Sequence, residues 1–380
     1  MDDSQRDNLE ITTPASPYLP RFNGAMLTAA REALFLSQEE LAGRLGISQP
    51  LVGRWEVGSS QPNEAQIGLL SQKLAVRREF FFVDRPRRLA SMSDYYHRAF
   101  AKATRKNVKA MHARCTIIDI QIDRLLNLGE IQEDKIPDID PTEDGLNPDK
   151  LAALAREEMG IGAGPIPNLV AAIEKCGGIV IDRNLEIPDM DALCRWVPEL
   201  PKLFFLNGAK PPDRIRHSLA HELGHTIMHF GRDVDHKVAE DQANAFGAAF
   251  LMPADQIRRD FRGGSVTLAD LAAIKRKWRV AMQSAARRAL SIGIIDSQRY
   301  KWLFIQMSQN GWRKSEPVSI PGETPSTFTN LLQQHLDKGF SRSDLANLLY
   351  VNEDTIDKML VDAKSPTYQD NGVRLRVVRD

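Results

Sequence analysis

The sequence has few cysteines, no long apolar run and no net charge, and the first two of these absences each argue against a class of protein. Its three cysteines, Cys115, Cys176 and Cys194, are odd in number, widely spaced and outside any C-x-x-C pattern. This argues against a disulfide framework and against a cysteine-based zinc site. No stretch of about 18 uninterrupted apolar residues occurs, and the N-terminal start is acidic, so neither a membrane span nor a secretory signal is expected. We therefore predict a cytoplasmic protein without a membrane partner.

The net charge of zero conceals an uneven distribution of charge. Residues 21–114 contain sixteen Lys and Arg against eight Asp and Glu, whereas residues 130–149 contain eight acids and one Lys. A basic front quarter suits a bound polyanion, although solvated surface charge explains the composition equally well.

Punctuation and periodicity divide the 380 residues into five segments. We predict a disordered arm at 1–21, short helices at 22–82, and a helical connector with an acidic linker at 83–150. A domain with short β-rich runs and two strong helices follows at 151–320, and the turn-rich GETPS stretch introduces a small helical domain at 321–380. The predicted fold class is mainly α with a small β-sheet: an all-α N-terminal domain, an α+β domain and C-terminal helical units.

The stretch LSQEELAGRLGISQPLVGRWEVGSSQPN at 36–63 has the pattern of a helix-turn-helix. Ser37 is placed to cap a first helix, with Glu40 closing a capping box. Gly46 supplies the tight turn, and Ser48 is placed to cap the second helix. The motif therefore predicts two short helices that cross at a glycine turn.

The second helix leaves Gln49 and Arg54 facing outward, where amide and guanidinium groups suit base edges and phosphates of a major groove. These residues closely resemble the helix-turn-helix of the Xre/Cro/phage-repressor family. The resemblance implies a compact helical domain that binds double-stranded DNA, usually as a homodimer, with Gln38 and Gln49 contacting backbone and bases. The candidate DNA contacts are Gln38, Ser48, Gln49 and Arg54, and a helical bundle without a DNA role is the alternative.

The last helical unit repeats this pattern faintly. Aligning Ser37 with Ser341 superposes the apolar positions of the two stretches, but the outward positions of the second are Asn352, Glu353, Asp354 and Asp357. Acidic side chains repel phosphate, so we predict a unit for packing or protein contact and not a second DNA reader.

His221, Glu222 and His225 form the pattern H-E-x-x-H within RHSLAHELGHTIMHF. A spacing of four residues on a helix places both imidazoles on one face, where they can bind one Zn²⁺. Glu222 then points at the metal-bound water and is the candidate general base. A helix with purely structural histidines is the alternative.

A catalytic zinc site needs a third protein ligand and one open position. Position 231, where a metzincin has its third histidine, is Gly. His229 lies about 12 Å along the helix axis from His221, too far to share one metal with it. His217 and His229 remain candidate supporting residues, for example as donors to the transition-state oxyanion, although such histidines more often serve packing.

The best candidate for the third ligand is Glu240, in the stretch VAEDQANAFGAAFLMP. Ala243 and Gly247 are small enough to let this helix pack closely against the first. Asp241 is the reserve candidate, and Asn244 lies on the same face as Glu240 and is a candidate supporting residue.

HELGH followed by E-x-x-A-N-x-F and L-M-P resembles the ImmA/IrrE family of metallopeptidases. The similarity extends more loosely from GPIPNLV at 164–170 to GWRKSEP at 311–317. One departure is Gly247, where the family usually has Ala; it is conservative. A helix-turn-helix domain followed by the peptidase domain is a known arrangement in the family.

This resemblance implies a zincin-like domain of the gluzincin type, with His221, His225 and Glu240 as Zn²⁺ ligands and Glu222 as general base. Family members cleave DNA-binding repressors. We therefore predict a DNA-binding regulator with zinc-dependent endopeptidase activity whose substrate is a repressor or a related regulatory protein. Two alternatives stay open: a regulator whose peptidase-like domain senses a ligand or partner without turnover, and a toxin–antitoxin or phage-immunity component.

Overall fold

The computed structural model of the protein describes residues 21–84, 104–143, 145–182, 191–196, 200–261, 265–313 and 315–361. The predicted arm, apart from Arg21, and the first part of the basic connector lie outside these ranges. Within them the chain is mainly helical with one small sheet, which confirms the predicted fold class. None of the helices in these ranges combines the length and the apolar character that a membrane crossing requires.

The N-terminal domain is a bundle of short helices around one apolar core. Its elements are α1 (Gly24–Ala33), α2 (Gln38–Leu45), α3 (Gln49–Glu56), α4 (Glu64–Leu74) and a 3₁₀ helix (Arg78–Phe82). Leu41, Val52 and Trp55 are buried together in this core. The burial of Val52 and Trp55 turns the opposite side of α3 toward solvent.

Local capping chemistry sets the bounds of α2 and α3. The Ser37 hydroxyl accepts a hydrogen bond from the Glu40 N–H, and the Glu40 carboxylate accepts one from the Ser37 N–H, as predicted. Gly46 ends α2 in the left-handed region with φ of 67°, which glycine adopts without steric cost. Ser48 holds the N-cap position of α3, but its side chain makes no capping hydrogen bond. The predicted capping role of the Ser48 side chain is therefore wrong.

The connector contains one long helix, α5 (Arg105–Leu126), that packs on both sides. Ala113, Ile117 and Ile120 face the N-terminal domain. A second stripe faces the sheet described below and consists of Met111, Cys115, Ile118, Ile122 and Leu125. Because each stripe repeats at three- and four-residue spacing, one helix serves two cores.

The sheet has three strands, β1 (Ile179–Asp182), β2 (Ala192–Arg195) and β3 (Leu203–Leu206), in the order β1-β3-β2. β1 runs parallel to β3, and β2 runs antiparallel to it. Alternate side chains point to opposite faces: Val180, Cys194 and Phe204 belong to the main core, whereas Leu193 and Phe205 pack with α5. The sheet is therefore covered on both faces.

Helices supply the rest of the described fold. They are α6 (Pro148–Glu158), α7 (Leu169–Lys175), α8 (Pro212–Met228), α9 (His236–Leu251), α10 (Ala254–Ile257), α11 (Leu268–Trp278), α12 (Met282–Ser291), α13 (Ser297–Gln309), α14 (Thr327–Asp337), α15 (Arg342–Leu348) and α16 (Glu353–Val361). α6 to α13 contribute to the main core, and α14 to α16 join α5 on the other face of the sheet.

The acidic stretch between α5 and α6 is built into the fold. The Lys135 N–H donates to the Cys176 carbonyl and the Ile139 N–H to the Ile227 carbonyl, both at 2.9 Å. Ile136 is buried, and the Lys202 ammonium contacts both Asp134 carboxylate oxygens at 2.8 and 3.0 Å. The described part of the predicted linker is therefore an ordered strap, because its backbone and its apolar residues find partners on the domain surface.

The GETPS stretch is anchored by two reciprocal caps. The buried Glu174 carboxylate, on α7, accepts hydrogen bonds from the Ser326 and Thr327 N–H groups at the start of α14. The Glu323 carboxylate, from GETPS, accepts them from Leu169 and Val170 at the start of α7. Each carboxylate thus accepts hydrogen bonds from first-turn N–H groups that have no acceptor within their own helix.

The C-terminal unit packs against both the connector helix and the N-terminal domain. Ser341 and Asp344 form a capping box at α15, matching the one at α2. The Tyr350 ring meets Phe80 edge-on at 6.0 Å, and the Arg77 guanidinium donates to the Val351 carbonyl. The unit therefore has the packing role that its sequence predicted. The five-segment division itself stays a prediction, since neighbouring segments share cores.

Candidate metal centre and nucleic-acid interface

Helix α8 carries the H-E-x-x-H pattern across the main core. Pro212 occupies its first turn, where the missing N–H costs no intrahelical bond. Leu219, Leu223 and Ile227 are fully buried on its apolar side. His221, Glu222 and His225 are also buried, so their polar atoms need partners inside the protein.

Helix α9 brings Glu240 opposite these histidines. The Nε2 atoms of His221 and His225 lie 3.0 Å apart, and a Glu240 oxygen lies 3.1 Å from His225 Nε2. The other Glu240 oxygen lies 3.8 Å from His221 Nε2. One ligand atom from each residue lies within 4.8 Å of the others. Among the described residues this is the group of His, Cys, Asp or Glu side chains that could hold a metal ion.

The spacing of these ligand atoms fits zinc. Ligands about 2.0–2.1 Å from a tetrahedral zinc are about 3.3 Å from one another, close to the distances of 3.0 and 3.1 Å found here. Two imidazoles and one carboxylate leave the fourth position open, as a catalytic zinc site requires. The donor set and its geometry therefore fit the ion.

The close approach of α9 to α8 places Glu240. A Cβ atom added at Gly247 would lie 3.1 Å from the His221 backbone nitrogen and 3.2 Å from the Ala220 carbonyl carbon. Ala243 is fully buried. Small residues thus let the helices touch, as the sequence indicated. Asp241, the reserve ligand, is exposed and outside the metal group.

Strand β2 holds the carboxylate of Glu222. The Cys194 backbone N–H donates to Glu222 Oε2 at 3.0 Å. Burial, together with a smaller effect of the Glu240 charge, raises the pKa of Glu222 to about 7, against the opposing effects of His221 and the Cys194 hydrogen bond. A carboxyl group that titrates near neutrality suits general base chemistry.

Two of the three ligand residues, His225 and Glu240, have pKa values shifted toward the forms that metal binding requires. Burial lowers the pKa of His225 to about 4, which keeps its ring neutral. Burial raises the pKa of Glu240, but hydrogen bonds with His221 and His225 outweigh it and hold this pKa well below its ordinary value. Neutral imidazoles and an ionised carboxylate are the forms that bind zinc.

The three predicted supporting residues have different positions. His229 contacts His225, with 3.0 Å between their Nδ1 atoms. The Asn244 amide instead donates to the Glu240 carbonyl of its own helix at 2.8 Å. His217 lies outside the metal group, and its buried Nδ1 has no hydrogen-bond partner among the described residues. Burial and the nearby His221 lower the pKa of His217 to about 4.

Sequence reasoning missed two contacts of the site. Cys194 acts through its backbone, so its residue type carries no signal. Gln242, whose Oε1 lies 2.8 Å from His229 Nε2, is two residues from Glu240. Two positions along α9 from Glu240, the Gln242 amide points away from the face that carries the metal ligand. It meets His229 only because α8 ends at that residue.

Two of the predicted DNA contacts, Gln38 and Gln49, are hydrogen-bonded to each other on the polar surface of α2 and α3. The Gln49 amide donates to Gln38 Oε1 at 2.6 Å, and the Gln38 amide donates to Glu56 at 2.7 Å. Glu56 is held in turn by Arg31 at 2.6 Å. This series of contacts orients the exposed Gln49 side chain. Ser48 and Arg54 are also exposed.

A cleft separates this surface from the first turns of α5. Gln38 and Gln49 line one side of it, and Arg105, Lys106 and Lys109 line the other. All three basic residues are exposed, although Lys106 and Lys109 each lie 3.6 Å from a glutamate. The positive charge of the connector therefore continues the surface of α2 and α3.

Comparison with known families identifies both domains. Residues 27–81 match the family model described as Helix-turn-helix. Residues 178–290 match the peptidase-family model described as IrrE N-terminal-like domain. The two matches in one chain confirm the predicted fusion, and the second contains the whole metal group. No curated protein matches the sequence.

Proposed function

We propose that this pairing of a DNA-binding domain with an IrrE-like domain is a zinc-dependent endopeptidase that acts on a regulatory protein. The observation that supports it is the convergence of His221, His225 and Glu240 on one position beside Glu222. A module that only bound a ligand would not need Glu222, a buried carboxylate held by a backbone N–H.

In the proposed mechanism the chain's own residues bind zinc and move one proton. His221 and His225 contribute Nε2 atoms and Glu240 a carboxylate oxygen. Zinc, when bound, supplies an acidified water and polarises the scissile carbonyl. Glu222 Oε2 is held by the Cys194 N–H, so Oε1 takes the water proton and passes it to the leaving amine.

The test replaces Glu222 with Gln in the purified protein. We expect zinc content to stay at one equivalent while cleavage of helix-turn-helix repressors encoded near the gene stops. Asp241→Asn makes the same acid-to-amide change at an exposed position and should cleave normally. If wild-type protein binds zinc but the variant cleaves equally fast, Glu222 is not the base. If wild-type protein cleaves nothing, the sensor without turnover replaces the peptidase.

The proposed partner of the N-terminal domain is double-stranded DNA, with Ser48, Gln49 and Arg54 on the groove-facing side of α3. Gln38 orients Gln49, and the basic residues across the cleft supply charge for phosphates. Each phosphate contact lowers the slope of log affinity against log salt by about 0.9. Replacing Gln49 and Arg54 with Ala should weaken operator binding, whereas the exposed Gln333→Ala on α14 should not. Equal affinities at every salt concentration would refute the DNA-reading role.

Joining the two activities has a physical advantage. A peptidase tethered to DNA beside a DNA-bound substrate works at a high effective concentration, so weak intrinsic recognition suffices. The cytoplasmic location and the homodimer on DNA remain parts of this proposal.

A further inference from the structure

A relay of polar side chains, two buried histidines and a half-buried glutamine, lies behind the metal-binding face of His225. His225 Nδ1 is 3.0 Å from His229 Nδ1, and His229 Nε2 is 2.8 Å from Gln242 Oε1. Both rings are 1% exposed. His229 follows the last turn of α8 and Gln242 lies on α9, so the relay joins the two helices that carry the zinc ligands.

The direction of the relay follows from hydrogen-bond chemistry. A neutral imidazole has one N–H and one lone pair, and Gln242 Oε1 can only accept. His229 Nε2 therefore donates to Gln242, which leaves His229 Nδ1 as an acceptor. His225 Nδ1 must then donate to His229, and the lone pair of His225 lies on Nε2.

The opposite direction is incompatible with the metal site. It would place a proton on His225 Nε2, which lies 3.0 Å from His221 Nε2 and 3.1 Å from Glu240. That proton would occupy the position at which the three ligand atoms converge. Only one of the two tautomers of His225 is therefore able to bind zinc.

We propose that His229 and Gln242 are positioning residues that fix the zinc-binding tautomer of His225. The inference rests on the proposed zinc site and assigns the orienting contact behind one of its ligands. Contacts of this type change metal affinity by about 10- to 100-fold when they are removed. Neither residue touches the substrate or the metal in this proposal.

The test compares variants that keep or remove each contact. His229→Phe keeps an aromatic ring but removes the acceptor, and Gln242→Met keeps the chain length but removes the amide. We expect zinc affinity, measured by competition with a chromophoric chelator, to fall about 10- to 100-fold in each. Gln242→Glu keeps an acceptor and should bind zinc within about threefold of wild type. Gln333→Met makes the same change on exposed α14 and should not alter affinity.

A second measurement reads the tautomer directly. Nitrogen NMR of the metal-free protein should show the proton of His225 on Nδ1 and that of His229 on Nε2, with His225 a mixture of tautomers in Gln242→Met. A purely structural role would lower stability without changing these signals. The proposal is overturned if His225 carries its proton on Nε2, or if the Met and Phe variants bind zinc as wild type does.

The outcome is separable from that of the proposed function. If wild-type protein binds zinc and the relay is present but no substrate is cleaved, the peptidase proposal fails and the relay stands. If cleavage depends on Glu222 while the tautomer of His225 is independent of Gln242, the relay fails and the peptidase stands.

Discussion

Removal of the Glu174 carboxylate should weaken the attachment of α14 to α7. This carboxylate is 7% exposed and accepts hydrogen bonds from the Ser326 N–H, the Ser326 hydroxyl and the Thr327 N–H at 2.7–3.1 Å. It therefore caps α14, because the side chain of the helix's own N-cap residue, Ser326, makes no capping hydrogen bond.

The expected magnitude follows from these contacts. A hydrogen bond to a charged group contributes about 1.5–3 kcal/mol, and loss of a helix cap costs about 0.5–2 kcal/mol. Ser326 is exposed, so water replaces part of what it loses in Glu174→Ala. We expect Glu174→Ala to lower the free energy of unfolding by about 2–4 kcal/mol, and Glu174→Gln by less, since one amide oxygen still accepts.

The assay is urea unfolding followed by circular dichroism, together with limited proteolysis of the GETPS stretch. In Glu174→Ala the midpoint should fall and the stretch should be cleaved faster. Glu158→Ala removes an exposed carboxylate from α6 and should change stability by less than about 0.5 kcal/mol. If Glu174→Ala behaves like this control, the carboxylate does not hold the two segments together, and the reciprocal caps are incidental.

The remaining predictions concern the helix contact, a buried ion pair, one histidine and the thiols. In Gly247→Ala, helix propensity adds about 1 kcal/mol of stability, but the added methyl group crowds the backbone of α8 at a cost of about 1–3 kcal/mol. The melting temperature and the zinc affinity should therefore both fall. A rise in both would show that α8 and α9 can move apart without cost. Asp119→Ala removes one side of the buried Asp119–Arg195 ion pair and should cost about 3–5 kcal/mol in urea unfolding; a loss under about 1 kcal/mol would contradict this. Burial and the charge of Arg195 lower the pKa of His112, so the unfolded chain binds its proton first and stability falls as pH drops through about 6.5. His112→Gln should flatten this fall by at most about 1.4 kcal/mol per pH unit, and equal pH profiles of the two proteins would contradict the assignment. All three cysteines are buried, and burial raises the pKa of Cys194 and of Cys176, so a thiol reagent should label the native protein much more slowly than the unfolded one.

Local features of the fold were predictable because they depend on neighbouring residues. Ser37 and Glu40 lie within one helical turn, and Gly46 acts at its own position, so the capping box and the turn could be predicted from the sequence. The spacing of His221 and His225 is likewise a property of one helix. Glu240 lies on a second helix, α9. It could still be predicted as a ligand because the small residues Ala243 and Gly247 indicate that α9 packs closely against α8.

The contacts that escaped prediction depend on tertiary geometry. The Cys194 N–H reaches Glu222 only after β2 pairs with β3 and packs on α8. Ser48 has the residue type of a cap, but its hydroxyl does not engage the helix, since type alone does not fix a rotamer. The polar composition of the acidic stretch around Asp134 predicts a linker. In the structure, the burial of Ile136 and the backbone hydrogen bonds hold this stretch against the domain surface.

The two-sided packing of α5 has a consequence for the cooperativity of folding. Ile120 completes the core of the N-terminal domain, while Ile118 and Ile122 complete the core on the sheet. Because α5 contributes apolar side chains to both cores, an opening event in which α5 unfolds carries the cost of both. Such coupling makes a cooperative unit out of segments that are distant in sequence. Hydrogen exchange of α3 and of β3 should therefore report a shared opening event, and the stability of the DNA-binding domain is a property of the whole chain.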